Sequence, residues 1–327
     1  AGVFMILGAI QFWLSQGLFG SIGDKIDAAK KVVEEKLDDT PAHVVADRLK
    51  AIFVFSFFTI FFWFAFEQAG GSMTIFAADY TDRTLVGTSG LIFKIVNTAM
   101  TLVPASILTW LLFQLYRSTG GRYALANLSL GLAFAIIWGL CLWMLGREFA
   151  MDQSEVPATW FGVLNSFFIV VLAPMFSKMW EKHWNPSGPV KFGVGLVLLG
   201  LGFAVLSYGS AGIPQGAKTA QVSMMFLSLA YLLHTMGELC LSPIGLSMVT
   251  KLAPPRLAGF AMGAWFLSIA IGNNLAGIFA GHASGEGGMT TGSALEAYTM
   301  GFYILAGAGV LLFLIGGLVN KLMHGVK

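Results

Sequence analysis

Two carboxylates stand where water should be scarce. Glu67 lies in FFWFAFEQAGGSMTIF and Glu238 in YLLHTMGELCLSPIGLSMV, each well inside an apolar run with no lysine or arginine deep in any such run to neutralise it. An ionised acid in hydrocarbon is costly, so such a residue faces a cavity or a partner and marks the path of an ion or a substrate. The alternative is a protonated glutamate that bridges two helices by a hydrogen bond. Trp63 precedes Glu67 by one helical turn and shares its face. Gly70, Gly71 and Ser72 follow directly, and a glycine pair there permits bending and close helix approach. His234 and Ser242 flank Glu238 by one turn each and make a polar stripe with it. Pro243 removes a backbone donor and is expected to bend or loosen the helix just beyond.

His234 and Glu238 have the spacing of two metal ligands, but no third or fourth lies nearby, so no metal site is expected. That leaves His234 as a proton relay or as a packed, hydrogen-bonded ring. Asn165, in WFGVLNSFFIVVLAP, is a mid-run amide that needs a partner in a dry setting, and Pro174 is expected to break its helix. Trp265, in GAWFLSIAIGNN, suits either packing or a pocket wall. No phosphate-binding glycine loop, metalloprotease motif or nucleophile elbow occurs, so neither an enzyme nor a cofactor is expected.

The elements that carry these residues follow from composition. Of 327 residues 56% are hydrophobic and only 11% charged, against roughly a quarter charged in a soluble domain. That excludes a soluble enzyme and a disordered chain. A net charge of +2 supplies no field for polyanions, so nucleic acid is not an expected partner. Cys141 and Cys240 both sit in apolar runs and suggest no disulfide framework. The expectation is an all-α polytopic membrane protein in a lipid bilayer.

A crossing helix needs about 20 apolar residues. Nine such runs are present, at about 2–22, 50–78, 91–116, 123–146, 157–177, 192–210, 220–249, 257–281 and 298–320. With alternating sides and the 23–49 loop in the cytoplasm, fifteen of the 19 lysines and arginines fall inside; only Arg83, Lys94, Arg147 and Lys218 fall outside. By the positive-inside rule the C-terminus is then cytoplasmic, and a cell (inner) membrane is the expected location. The loop contains DKIDAAKKVVEEKLDD, whose alternating charges suggest a short solvated helix between two bundles. The chain starts at Ala1 with no initiator methionine, so an N-terminal truncation is expected. Small residues in GVGLVLLGLGF and GFAMG fit close helix packing. Helices interrupted by proline and glycine beside buried acids are the pattern of a secondary transporter.

Three blocks sharpen that pattern into a resemblance. FWFAFEQAGGSMTIFA, SFFIVVLAP and YLLHTMGELCLSPIGLSMVTKLAPPRLAGFAMGAWFLSIAIGNNLAG closely resemble the proton-dependent oligopeptide transporters, peptide symporters within the major facilitator superfamily. The resemblance runs along the chain except around 86–150. It implies the C-terminal helical bundle of a twelve-helix core, about nine transmembrane helices in this chain. Residues 1–22 would be the last helix of the N-terminal bundle, 23–49 the cytoplasmic inter-bundle loop, and 50–327 the C-terminal bundle with a helix pair inserted at about 91–146. The missing N-terminal bundle would be its partner. The resemblance further implies proton binding at Glu67. It implies contacts to a di- or tripeptide by Trp63, Asn165, Glu238, Ser242 and Trp265, with Glu238 facing the peptide's amino group and the proton as coupling ion. Another small substrate, a modified amino acid or an anion, is the alternative within the family.

Overall fold

The structure, a computed structural model, describes residues 40–213, 217, 219–284 and 291–326, together with a few positions between 8 and 17. Most of the run at 2–22, residues 23–39 of the charged loop and the glycine-rich stretch 285–290 lie outside the described residues, so the bundle boundary placed there does too. The other eight apolar runs all fall on helices. Among the described residues seven helical segments are long and apolar enough to cross a membrane, with the two-helix segment Gly87–Ala150 counted once.

The first described helix, α1 (Ala42–Phe66), begins eight residues before the apolar run. Its opening turns carry the charges, and there Asp47 pairs with Lys50 at 2.9 Å and with His324 at 3.1 Å. A 3-10 turn at Glu67–Ala69 and the glycine pair interrupt the helix, which resumes as α2 (Ser72–Asp79). Two short strands follow, β1 (Thr81–Asp82) and β2 (Thr84–Leu85), and then a hairpin of long helices, α3 (Gly87–Thr119) and α4 (Ala124–Ala150). After β3 (Ser154–Glu155) come α5 (Trp160–Lys178), a π-helical turn at Met179–His183, and α6 (Gly188–Ser210). Strand β4 (Val222–Ser223) leads to α7 (Met224–Leu252), followed by α8 (Ala258–Ser284) and α9 (Thr291–Leu322).

The bundle is built around α6, which packs between α9 and α7; α5 lies on α7, and α1 lies against α8 and α9. Glycines at heptad spacing on α6 make this possible. A Cβ at Gly193 would come within 2.5 Å of the Phe313 ring, and one at Gly200 within 3.2 Å of the Ala306 nitrogen, both on α9. Half a turn away, a Cβ at Gly195 would sit 2.8 Å from the Gly237 carbonyl oxygen, and one at Gly202 would be 2.4 Å from the His234 ring, both on α7. Two helices therefore approach one at backbone distance, which is how small residues stabilise helix pairs in lipid. In GFAMG, by contrast, neither Gly259 nor Gly263 has a neighbour within 4 Å of where a Cβ would be, so the expectation of close packing there fails.

Neither proline ends its helix. Pro174 lies inside α5 and Pro243 inside α7, and both helices run on past them. One missing backbone donor is tolerated in a long, packed apolar helix whose neighbours hold it in place.

The hairpin α3–α4 stands apart. Its apolar side chains are mostly exposed, and its contacts outside itself concentrate where it joins the bundle. There β2 pairs antiparallel with β3, Leu85 opposite Ser154, while β1 pairs parallel with β4. Arg83 binds the same junction through the Val156 carbonyl at 2.7 Å and the Glu155 carboxylate at 2.6 Å. The hairpin thus leaves and re-enters the bundle at one point.

Candidate functional site

The break after Phe66 determines how Glu67 is presented. Ending the α-helix there leaves carbonyls without intrahelical donors, and each needs a substitute in a dry environment. Gln68, fully buried, supplies much of it. Its Nε2 donates to the Phe64 carbonyl at 3.2 Å and to the Ala276 carbonyl of α8 at 3.1 Å, while its Oε1 accepts from the Ser72 hydroxyl at 2.8 Å. The Ala69 carbonyl accepts from the Thr74 hydroxyl at 2.7 Å and from the Tyr231 hydroxyl of α7 at 3.1 Å. A Cβ at Gly71 would press on the Ala280 Cβ at 3.1 Å, so a glycine lets α8 come close at the break. Glu67 itself is half-buried, and among the described residues its carboxylate has no hydrogen-bond or ion-pair partner. Trp63, also half-buried, stacks edge-on with Phe62 and Phe66 at centroid distances of 5.4 and 5.8 Å.

Glu238 has a different setting. Asn165 on α5 donates through Nδ2 to Glu238 Oε2 at 3.0 Å and to the Thr235 hydroxyl at 3.0 Å. Thr235, fully buried, donates in turn to the Tyr231 carbonyl at 2.8 Å. The two residues are thus brought into direct contact across helices, and Thr235 is a third member that sequence reasoning missed. Glu238 is half-buried, and among the described residues only its Oε2 has a hydrogen-bond donor. Ser242 lies one turn further along α7 and is half-buried.

The other candidates are packed. Trp265 is 4% exposed, with its ring over Gly245 of α7 and 6.4 Å from the Phe192 ring. For it to touch a ligand, Gly245 and Phe192 must release the ring. His234 is 2% exposed, edge-on to Phe203 at 4.9 Å. The Leu199 carbonyl approaches the His234 ring, yet neither nitrogen has a partner at hydrogen-bonding geometry. Among the described residues no group of three or more His, Cys, Asp or Glu could hold a metal ion.

With this geometry in hand, three comparisons bear on the chain. The model of the POT family matches residues 146–287, the stretch that carries Asn165, Glu238, Ser242 and Trp265. A peptide transporter of Yersinia enterocolitica is 31% identical over 243 residues, 73% of this chain and 34% of the relative. Residues 146–287 thus carry the POT family pattern. A dipeptide and tripeptide permease A of Chromobacterium violaceum is 40% identical over 148 residues, 43% of this chain and 28% of the permease. The crystal structure of a peptide transporter POT in complex with sulfate superposes with a TM-score of 0.59 at 21% identity, covering 99% of this chain and 54% of that one. The helical bundle is therefore the fold of POT transporters. The chain spans about a third of the length of these curated relatives and about half of that solved structure.

Proposed function

We propose that this chain is part of a proton-coupled symporter of di- and tripeptides working by alternating access, with the missing N-terminal bundle forming the other wall of the cleft. The observation that carries the reading is the carboxylate of Glu238, oriented by Asn165 and open at one oxygen. A peptide ammonium meeting that oxygen forms a charge-assisted hydrogen bond, about twice as strong as a neutral one. The names of the Yersinia and Chromobacterium relatives support peptides as the substrate class. Trp63 and Ser242 line the same cleft in this reading, and Trp265 joins them only in a conformation that frees its ring.

Glu67 is the proton site. It sits at the break between α1 and α2, where rocking of the halves changes its surroundings most, and a basic residue from the other bundle would exchange with the proton. Exchange of the proton for that basic residue as the cleft changes sides couples proton and peptide movement. The test is Glu67→Gln in the full-length protein, reconstituted in proteoliposomes. Glutamine mimics the protonated acid permanently. Uphill uptake driven by a proton gradient falls to background, while peptide-for-peptide exchange persists. Continued accumulation against the gradient would remove Glu67 from the coupling role and turn attention to His234.

A further inference from the structure

The hairpin α3–α4 has a feature that peptide transport does not use. Between its two helices lies a groove of about 390 Å³, lined by Leu112, Phe113 and Tyr116 on one side and Gly131, Phe134 and Trp138 on the other. The groove exists because α4 presents little bulk there: a Cβ at Gly131 would meet nothing within 4 Å. At its upper end the Trp138 indole donates to the Thr109 hydroxyl at 2.9 Å and ties the helices together. At the hairpin turn Asn127 donates to the Thr119 hydroxyl and to the Gly120 carbonyl, both at 3.1 Å. The walls are thus held apart at a set spacing.

The rim is cationic. Arg117 lies 5.8 Å from the centre of the Phe113 ring, which lines the groove, and Arg122 lies across the turn over Tyr123. No aspartate or glutamate occurs anywhere from residue 84 to 147, and among the described residues neither arginine has an ion-pair partner. Two guanidiniums beside an apolar slot in a membrane hairpin match one ligand chemistry, a phosphate diester carrying an acyl chain. The geometry points to a binding site for an anionic phospholipid, with an acyl chain lying in the groove and the phosphate held by Arg117 and Arg122. Guanidinium forks suit phosphate, and basic residues at the membrane surface favour anionic lipid. The Lys and Arg distribution puts this turn in the cytoplasmic leaflet. A second copy of the chain could also cover the slot, but it would have to meet this cationic turn with its own.

The experiment is native mass spectrometry of the full-length protein, delipidated and titrated with phosphatidylglycerol or phosphatidylcholine of identical chains. The protein retains phosphatidylglycerol at least about tenfold more tightly. Arg117→Gln with Arg122→Gln brings it down to the phosphatidylcholine level. Gly131→Leu, which fills open space, lowers retention of both lipids, and Arg147→Gln at the opposite end of the hairpin changes neither. Equal retention of the two lipids, or a preference that survives the double arginine variant, overturns the proposal. So does a Gly131→Leu protein that keeps its lipid but shifts its monomer-to-dimer ratio, since the groove would then belong to a second copy.

Discussion

With Asn165 Nδ2 donating to Oε2, the Glu238 carboxylate is held in one orientation and offers its other oxygen to a ligand. Glu238→Ala in the full-length protein should therefore weaken binding of free-amine peptides by about 1.5–3 kcal/mol, tenfold or more, because the lost contact is a hydrogen bond between charges. N-acetylated peptides lack the ammonium and should lose little. Calorimetric titration of both ligand series decides it, and equal losses would make Glu238 a structural residue. At this scale the acids were legible from sequence, because a charge with no counter-charge in an apolar run stands out by itself. Their partners were not. Thr235 reads as an ordinary helix residue until α5 is placed against α7, and Asn165 stands 73 positions before its carboxylate acceptor. Gln68 did carry a signal: an amide set between an acid and a glycine pair can satisfy the carbonyls that a break releases.

Between elements, the approach of α6 to α7 rests on hydrogen atoms where side chains would be. Gly195 and Gly237 face each other so closely that a Cβ on either would lie within 3 Å of the other's carbonyl oxygen. Backbone on both sides cannot rotate out of the way as a side chain tip can. Gly195→Ala should accordingly destabilise the full-length protein by about 1–3 kcal/mol, the usual cost of overpacking. Gly263→Ala, with nothing within 4 Å, should be neutral or stabilising by up to about 1 kcal/mol through helix propensity. Denaturant melts of both variants in the same detergent check the contrast, and similar shifts for the two would show that the α6–α7 contact is looser than drawn. Sequence alone could not separate these cases. Both stretches are rich in small residues, and only the crossing partner tells which glycines are needed. Pro174 teaches the same lesson in reverse: it looks like a helix break, yet α5 runs on past it to Lys178.

For the whole molecule, a core bundle carries the polar residues and a hairpin hangs from it by one junction. Eight of the nine apolar runs fall on described helices, because apolar length is a strong signal. The closed neck was not readable in the sequence, since β2 and β3 are two residues each and pair across the whole hairpin. That neck makes the modularity testable. In antiparallel pairing the Cα atoms of opposed residues lie about 4.5–5.5 Å apart, a gap that a few glycines span. Removing 86–153 and joining Leu85 to Ser154 by such a linker should leave β1–β4 pairing, the Arg83 contacts and the Asn165–Glu238 bond in place. The deleted segment contains no acid before Glu148, and among the described residues no hydrogen bond or ion pair joins it to Glu67 or Glu238. Peptide affinity in the shortened full-length protein should stay within about twofold of the parent, since mutated sites that share no contacts act independently. Expression and lipid retention should fall, because the anionic-lipid groove goes with the hairpin. Affinity is measured on the monodisperse fraction, so that poor yield is not read as poor binding. A loss of tenfold or more in that fraction would mean that α3 and α4 reach the pocket in another conformation, and that the hairpin works in the transport cycle.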